Sequence, residues 1–600
     1  MRVLLLNILI VLGTFLKVQA QDYTEVKAKF EHNLHQPVNI QKLGDGHYFI
    51  DFGKAYFGTL SIKAKASQKD TVVFHLAEQL SSEYTVNRNP KGTIRYQNVV
   101  LPHLNKGESI NLKLPKVIGN TKPEAIALPE SFGVIMPFRY CEIENLKIPI
   151  DDLIIHQKVV HYKFNDEASY FTSSDTILNQ IWDICKHTIK ATSFAGYYVD
   201  GDRERIPYEA DAYINQLSHY AFDNEYSLAR RTNEFFISNP TWPTEWILHT
   251  AKMFYYDYLY TGNSESISKF YDKLKDKTLI ELEREDGLIT TDNERMNKQF
   301  MTQLGFEKRK KIRDIVDWPM SERDGYEMKA INTVVNAFYF ENLIMMSRIA
   351  KALEKPEDAL FYKDKADQVK ALINDKLFDK STGLYIDGEG SSHSSLHANM
   401  FPLAFGIVPE ERKEAVLKFI KSKGMACSVY AAQYLLEGLY KSNEAAYAQQ
   451  LITATDHDRT WYNMIKTGST MTLEAWDIKY KPNLDWNHAW GTAPGNIITR
   501  DLWGIKPTTP GFEDAEIYPQ LSNLSFSEIK APTIKGPITA KYKKIDDHNF
   551  KYEIELPKSM NGHFKVPTGN WKSITLNGVD VHGKNKLKLD KGRNVITLVN

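Results

Sequence analysis

Two stretches of this sequence place acids where they could move protons. The first, Tyr198 to Asp211, holds Asp200, Asp202, Glu204, Glu209 and Asp211, with Arg203 and Arg205 among them. Such a run is by default a solvated charged loop. Here aromatic residues flank it, Pro207 interrupts it and a helical pattern follows, which points to a fixed loop at the mouth of a cleft. A carboxyl held among other carboxyls and aromatic walls has its ionisation raised, which suits a general acid, whereas a neighbouring arginine opposes that shift. The second stretch runs from Thr467 through Thr470, Glu474 and Trp476 to Asp477, and continues from Asp485 through His488 and Trp490. Together the two stretches supply the pair of carboxylates that glycoside hydrolysis requires. They lie about 270 residues apart, a separation that a closed ring of elements can bring together.

The composition agrees with a sugar as the partner. Nine of the ten tryptophans, all but Trp571, lie between 182 and 503. Indole rings stack on the apolar faces of sugars, but they fill a large helical core equally well. The chain of 600 residues is 42% hydrophobic and 25% charged, an ordinary globular balance. Its formal net charge of zero argues against nucleic acid or an anionic membrane as the main partner, since both need a basic surplus. Cys141, Cys185 and Cys427 form no CxxC or zinc spacing, and no HExxH sequence occurs, so three buried thiols, no metal and no cofactor are expected.

The elements that must position these residues change character along the chain. Arg2, the apolar run Val3 to Leu16 and the small-x-small pattern at Val18 to Ala20 read as a cleavable export signal over residues 1–20, placing the protein in the periplasm or outside the cell. No later segment is apolar enough to span a membrane. Residues 21–165 are strand-like, with short runs at His47 to Asp51, Thr59 to Lys63, Thr71 to His75 and Phe138 to Ile143 separated by Gly53, Gly58 and Pro102. They read as a β-sandwich. Residues 166–507 turn helical. Ser174 and Asp175 can cap a helix whose apolar positions, Ile177, Ile181, Trp182, Cys185 and Ile189, recur at three and four. Further helical patterns cover 211–236, 246–260, 266–282, 330–353, 356–377, 397–405, 410–421, 429–440 and 444–453. A dozen helices without intervening strands must bury their stripes on one another, and an (α/α)6 toroid is one solution. After Pro507 to Gly511 the strands return, and residues 508–600 read as a second β-sandwich. The expected architecture is therefore multidomain, a toroid flanked by two β-sandwich domains.

Several further motifs accompany the two acidic stretches: Asp51 to Gly58, His75 to Glu78, Phe138 to Tyr140, Trp246 to Asn263, Ile315 to Pro319, His397 to Asn399, Phe405 to Glu410 and Pro510 to Phe512. With them the chain resembles the α-L-rhamnosidases of glycoside hydrolase family 78 over nearly all of its length beyond the leader. The resemblance implies a general acid at Glu204 and a general base at Glu474, the latter ending a Thr-rich strand from Thr470. It also implies that Asp200 and Asp211 bind rhamnose hydroxyls, that Trp246 and Trp318 are pocket aromatics and that His488 is a pocket histidine, with Arg203 and Trp490 in the same substrate-binding set. The chain departs from the family pattern in four ways. Gly201 and Asp202 replace Cys-Pro, with one residue fewer before Arg203, and Tyr208 stands in the place of a pocket tryptophan. Ala210 replaces a glycine, and Asp202 and Glu209 are extra acids, so Glu209 is a rival for the acid role.

The implied reaction is inverting hydrolysis that releases terminal α-L-rhamnose from an oligo- or polysaccharide. Such a pair holds a water between carboxyls about 6.5–9.5 Å apart, whereas a gap of about 5 Å marks a covalent intermediate. Three other readings fit a toroid with a sugar cleft. A glucoamylase-like glycosidase would act on other aryl glycosides, a polysaccharide lyase would use a Tyr/His pair and leave unsaturated products, and a sugar-binding protein would release nothing.

Overall fold

The computed structural model describes residues 29–600; the leader expected at 1–20 lies outside the described residues. The first domain is one eight-stranded antiparallel sheet built around a single strand, His47–Ala64. This strand runs through both Gly53 and Gly58, where the sequence suggested breaks. Its first half pairs with Asn39–Gly44 and its second half with Leu153–Tyr162 and Ser109–Asn111, while Met136–Glu144 pairs with both across a register shift between Asp51 and Tyr56. One long strand thus serves both halves of the sheet. The core it encloses includes Ile50, Leu60, Ile62, Phe74, Phe138 and Ile155.

The helical domain opens on Thr176–Thr192. Asp175 caps it, its carboxylate accepting the N–H groups of Ile177 at 3.0 Å and Leu178 at 3.1 Å. Ile181, Trp182, Cys185 and Ile189 all turn into the core. Thr333–Ala352 then packs against Pro356–Lys376 as a hairpin and Leu396–Ala404 against Ala432–Lys441, and Ala493–Ile497 packs on both Thr176–Thr192 and Glu209–Phe222, which brings the end of the helical domain back to its start. Three long helical patterns are each split in the structure, the 266–282 pattern into Glu265–Lys269, Tyr271–Asp276 and Ile280–Leu282. The 211–236 pattern becomes Glu209–Phe222 and Ser227–Ser238, and the 246–260 pattern becomes Thr244–Ile247 and Thr250–Thr261. Asp223, in extended conformation, ends the helix before it and accepts the N–H of Asn165, so a tertiary contact interrupts a continuous apolar period.

The C-terminal domain is a true pair of sheets, of seven and four strands. Its strands cross the expected boundaries at two places. The four-stranded sheet begins at Ile505–Pro507, and the edge of the seven-stranded sheet is Tyr170–Ser173, which comes from the start of the helical segment and pairs with Phe526–Ala531. Helices and C-terminal sheets share one continuous hydrophobic core. Two of the motifs meet at this seam. Gly262 ends its helix at φ +73°, and a Cβ there would sit 3.2 Å from the Cα of Gly511, while Tyr260 packs edge-on to Phe512 at 5.4 Å. Both glycines therefore exist for close backbone approach.

Removing the Asp175 carboxylate orphans two N–H groups, so Asp175→Ala is expected to destabilise the helical domain by about 1 kcal/mol. The measurement is the denaturant midpoint followed by tryptophan fluorescence, and an unchanged midpoint contradicts the cap.

Candidate active site

The loop after the first helix of the toroid closes on itself. The Asp200 N–H donates to Ile206 O at 3.0 Å, and the Ile206 N–H returns to Asp200 Oδ1 at 3.0 Å. Gly201, at φ +113°, is required here, because a Cβ would meet Asn487 O and Oδ1 at 2.7 Å. Asp202, one of the extra acids, turns away from the cavity. It receives Arg205 Nε and Nη2 at 3.0 and 2.6 Å, lies 2.9 Å from Arg95 Nε, and its N–H donates to Asn487 Oδ1 at 2.7 Å. The Gly201–Asp202 replacement is thus a self-consistent anchor of the loop to the N-terminal sheet domain. Glu78 reinforces that anchor by accepting Asn487 Nδ2 at 3.0 Å and the Arg95 N–H at 2.7 Å. Burial pushes the Glu78 carboxyl up to about 8.

The segment carrying Glu474 is an irregular extended stretch, not the strand that the family pattern implies for Thr470 to Trp476. It lacks ladder partners because other elements take its backbone groups. The Thr472 N–H donates to Thr188 Oγ1 at 2.9 Å, the His488 N–H to Thr472 O at 2.9 Å and the Trp490 Nε1–H to Glu474 O at 2.9 Å. These bonds tie Glu474 to the first helix of the toroid on one side and to 488–490 on the other.

The nine residues singled out in the sequence, Asp200, Arg203, Glu204, Asp211, Trp246, Trp318, Glu474, His488 and Trp490, line one cavity of about 210 Å³. Arg203 stands at its centre. Its Nη1 donates to Glu474 Oε2, its Nη2 lies 3.5 Å from Asp200 Oδ2 and its Nε lies 3.9 Å from Glu204 Oε1. One guanidinium therefore lies beside both glutamates, although 271 residues of chain separate Arg203 from Glu474. Glu204 is the more open of the two, with 30% of its side chain exposed against 2% for Glu474. The Tyr208 O–H donates to Glu204 Oε2 at 2.8 Å. Lys481 Nζ lies 3.1 Å from the remaining oxygen of Glu474. Glu209, the rival acid, points elsewhere. It is buried against Thr241, accepting its N–H at 3.0 Å and its hydroxyl, and it does not line the cavity.

Burial raises the Asp200 carboxyl well above the usual carboxylate range, although Arg203 and His488 oppose it. Burial likewise raises Asp211. His488 goes the other way. Burial alone would lower it, but Asp485, 3.2 Å from Nδ1, and Asp211, 2.8 Å from Nε2, hold it well above 6.5 as an imidazolium. Glu474, Asp485 and His488 bring ligand atoms within 4.8 Å of one another. Arg203, Lys481 and a histidine bonded through both nitrogens already satisfy that cluster, so it has the charge of an ion-pair network, with no call for a divalent ion.

Other residues fix the aromatic walls. Trp318 follows Asp317, which accepts Trp318 N–H at 2.7 Å, His397 Nε2 at 2.6 Å and Ser428 N–H at 2.9 Å. Two of the motifs, at Asp317 and His397, thus meet behind the wall. Glu245 accepts the N–H groups of Ile315 and Val316 from the same loop, and its own carboxyl is pushed up to about 8 by burial. Trp246 meets Tyr208 edge-on at 5.5 Å and leaves its buried Nε1–H without a partner facing the cavity wall. Sequence reasoning missed Trp242, Ile315, Lys481 and Asn483, which also line the cavity. Nothing in the sequence separates buried Lys481 from exposed Lys479 two residues earlier; Trp242, four residues before Trp246, was the one with a signal.

Three family models match the chain, in the order of its three domains. The model for the bacterial alpha-L-rhamnosidase 6 hairpin glycosidase domain matches residues 166–502, that for the concanavalin-like domain matches 41–161 and that for the C-terminal domain matches 504–579. The chain belongs to the bacterial alpha-L-rhamnosidase six-hairpin glycosidase family. It is similar to an alpha-L-rhamnosidase of Formosa agariphila, 21% identical over 91% of this chain and 58% of that one. It is also similar to one of Alteromonas sp., 22% identical over 88% of this chain and 57% of that one. The chain therefore spans a little over half the length of these curated relatives. Among solved structures, the alpha-L-rhamnosidase of Dictyoglumus thermophilum superposes with a TM-score of 0.76 at 18% identity, covering 96% of this chain and 64% of that one. The Streptomyces avermitilis alpha-L-rhamnosidase complexed with L-rhamnose gives 0.74 at 13% identity, covering 95% and 54%. These likenesses establish the fold.

The His488 imidazolium makes a prediction of its own. A histidine whose folded value is raised stabilises the fold fully below its free value of 6.5 and loses that contribution as pH rises through the folded value. His488→Gln should therefore lower the unfolding midpoint most in acid, with the gap to the parent closing as pH rises beyond neutral. A ring nitrogen NMR signal for His488 that titrates at or below 6.5 overturns the assignment.

Proposed function

We propose that the protein is an inverting α-L-rhamnosidase that releases terminal rhamnose from a glycan. The observation that carries the reading is the pair of glutamates held apart by Arg203 in a cavity of single-sugar size, one open and one buried. In this reading Glu204, protonated, gives its proton to the leaving glycosidic oxygen, and the Tyr208 O–H, already 2.8 Å from Oε2, supports the carboxylate that results. Glu474 accepts a proton from a water attacking the anomeric carbon on the opposite face. Arg203 and Lys481 occupy one lone pair on each of its oxygens and so orient the carboxylate, leaving a second lone pair on each for the water. Asp200, Asp211 and His488 bind hydroxyls, and Trp246, Trp318 and Trp490 cover the apolar face and the methyl group of the sugar. The carboxylate of Glu474 and the side-chain oxygens of Asp200 and Asp211 face the positive charge developing on an oxocarbenium-like transition state.

No helix among the described residues is long and apolar enough to cross a membrane. Export by the leader at residues 1–20 belongs to the same reading and rests on the sequence pattern alone.

Glu204→Gln and Glu474→Gln are each expected to lower kcat on an α-L-rhamnoside by about 10²–10⁴-fold. Proton NMR of the first-formed sugar should show the anomer opposite to the substrate. Near-parental turnover in either variant refutes the residue's role, and a retained anomer refutes inversion.

A further inference from the structure

A second concavity adjoins the first. It is a groove of about 590 Å³ whose lining includes Tyr208, Trp242, Phe306, Lys308 and Arg309, and Tyr208 and Trp242 are also walls of the cavity. Above it runs the segment Glu307 to Arg313, which places Lys308, Arg309, Lys310, Lys311 and Arg313 against the single acid Glu307. All five cations are exposed. The guanidiniums of Arg309 and Arg313 lie over the Trp242 ring, 5.7 and 5.5 Å from its centre. The segment is fixed in place, since the Arg313 N–H donates to Trp242 O at 3.1 Å and its carbonyl accepts the Thr244 N–H at 2.9 Å. Glu124 is the other acid at the groove. In a chain of zero net charge this is a local basic surplus, set beside the cavity.

Its position relative to the proton donor assigns it a role. Tyr208 is bonded to Glu204 on one side and lines the groove on the other. The group that takes the Glu204 proton is the leaving oxygen, so the remainder of the glycan departs over Tyr208 and Trp242 toward the basic segment. We propose that this groove holds the leaving-group sugar and that this sugar is anionic, bearing a carboxylate or a sulfate. This rests on the reading of Glu204 as the acid. Trp242 and Phe306 supply a surface for the sugar's apolar face, and Lys308 and Arg309 supply charge-assisted donors for its anion. A nucleic acid is disfavoured because the surplus is confined to one seven-residue segment.

The test compares a rhamnosyl-uronate disaccharide, its carboxyl-reduced neutral counterpart and a sulfated counterpart, using the full chain and the variant K308Q/R309Q/K310Q/K311Q. The two exposed charge contacts of Lys308 and Arg309, with Lys310 and Lys311 adding to the local field, amount to about a fivefold preference in kcat/KM for an anionic substrate at low salt, smaller at high salt. The variant should lose that preference while its rate on the neutral disaccharide stays within about twofold. The uronate and sulfate arms identify which anion is taken. Equal kcat/KM for charged and neutral substrates in the parent, or a preference that survives the four substitutions, overturns the proposal. If no rhamnoside is cleaved, it is the reading of the cavity that fails, and calorimetry with a rhamnose-free uronate oligosaccharide decides the groove. Binding to the parent and not to the variant supports the proposal; absence of binding, or equal binding of duplex DNA, overturns it.

Discussion

The site depends on one guanidinium. Arg203 is the contact through which Asp200, Glu204 and Glu474 share a small volume, and without it three carboxyls would face one another in a space largely closed to water. Burying charge is expensive unless each charge is paired. The cavity solves this by alternation: Glu474 lies between Arg203 and Lys481, and His488 between Asp211 and Asp485. Burial works against the charge of Arg203, but Glu474 and Asp485 outweigh it, so the guanidinium is held as a cation well above its ordinary range. The same network that makes the cavity stable therefore leaves it polar and oriented before any sugar enters.

Alternating charge holds only if the backbone delivers each side chain to its place, and here the delivery comes from outside the toroid as well as within it. Glu78 and Arg95 of the N-terminal sheet domain reach Asn487 and Asp202, which flank the two site-bearing segments. Asp317 and Glu245 hold the loop behind Trp318 through backbone N–H groups. The sheet domain is thus part of the site's framework, which gives a physical reason for the helical and sheet domains to occur as one packed unit.

Much of this could be read from sequence where a local rule and the tertiary structure agree. The Asp175 cap and the stripe Ile181, Trp182, Cys185 and Ile189 obey helix geometry, and the structure uses them so. The tryptophans divide: Trp182, Trp461, Trp476 and Trp503 serve the core alone, while Trp242, Trp246, Trp318 and the equally buried Trp490 line the cavity, a division that indole content alone cannot make. Sequence failed where a distant partner decides. The stretch at Thr470 to Trp476 has strand-like residues but spends its hydrogen bonds on Thr188 and His488, and Gly53 and Gly58 sit inside a strand because four neighbours hold it. Lys481 and the basic segment at 308–313 carry no periodic signal; only their proximity to Glu474 and Trp242 gives them meaning.

The departures from the family pattern gather on the side of the proposed proton donor, and they act in one direction. Gly201 lets the loop approach Asn487 more closely than any side chain would permit, and Asp202 then ties the shortened loop to Arg95 and Arg205. Arg203, the next residue, keeps its contacts to Asp200, Glu204 and Glu474. At 208 the phenol supplies a hydroxyl where an indole has none. Burial, with Asp200 and Glu204 nearby, raises Tyr208 far above its ordinary value, so its O–H persists as a donor at any pH at which the protein is folded. A donor there fixes the orientation of the Glu204 carboxyl, since Oε2 is held at 2.8 Å by Tyr208 while Oε1 lies toward Arg203. Tyr208 also lines the second groove, so in the proposed reading the residue that orients the acid forms the wall against which the departing sugar rests.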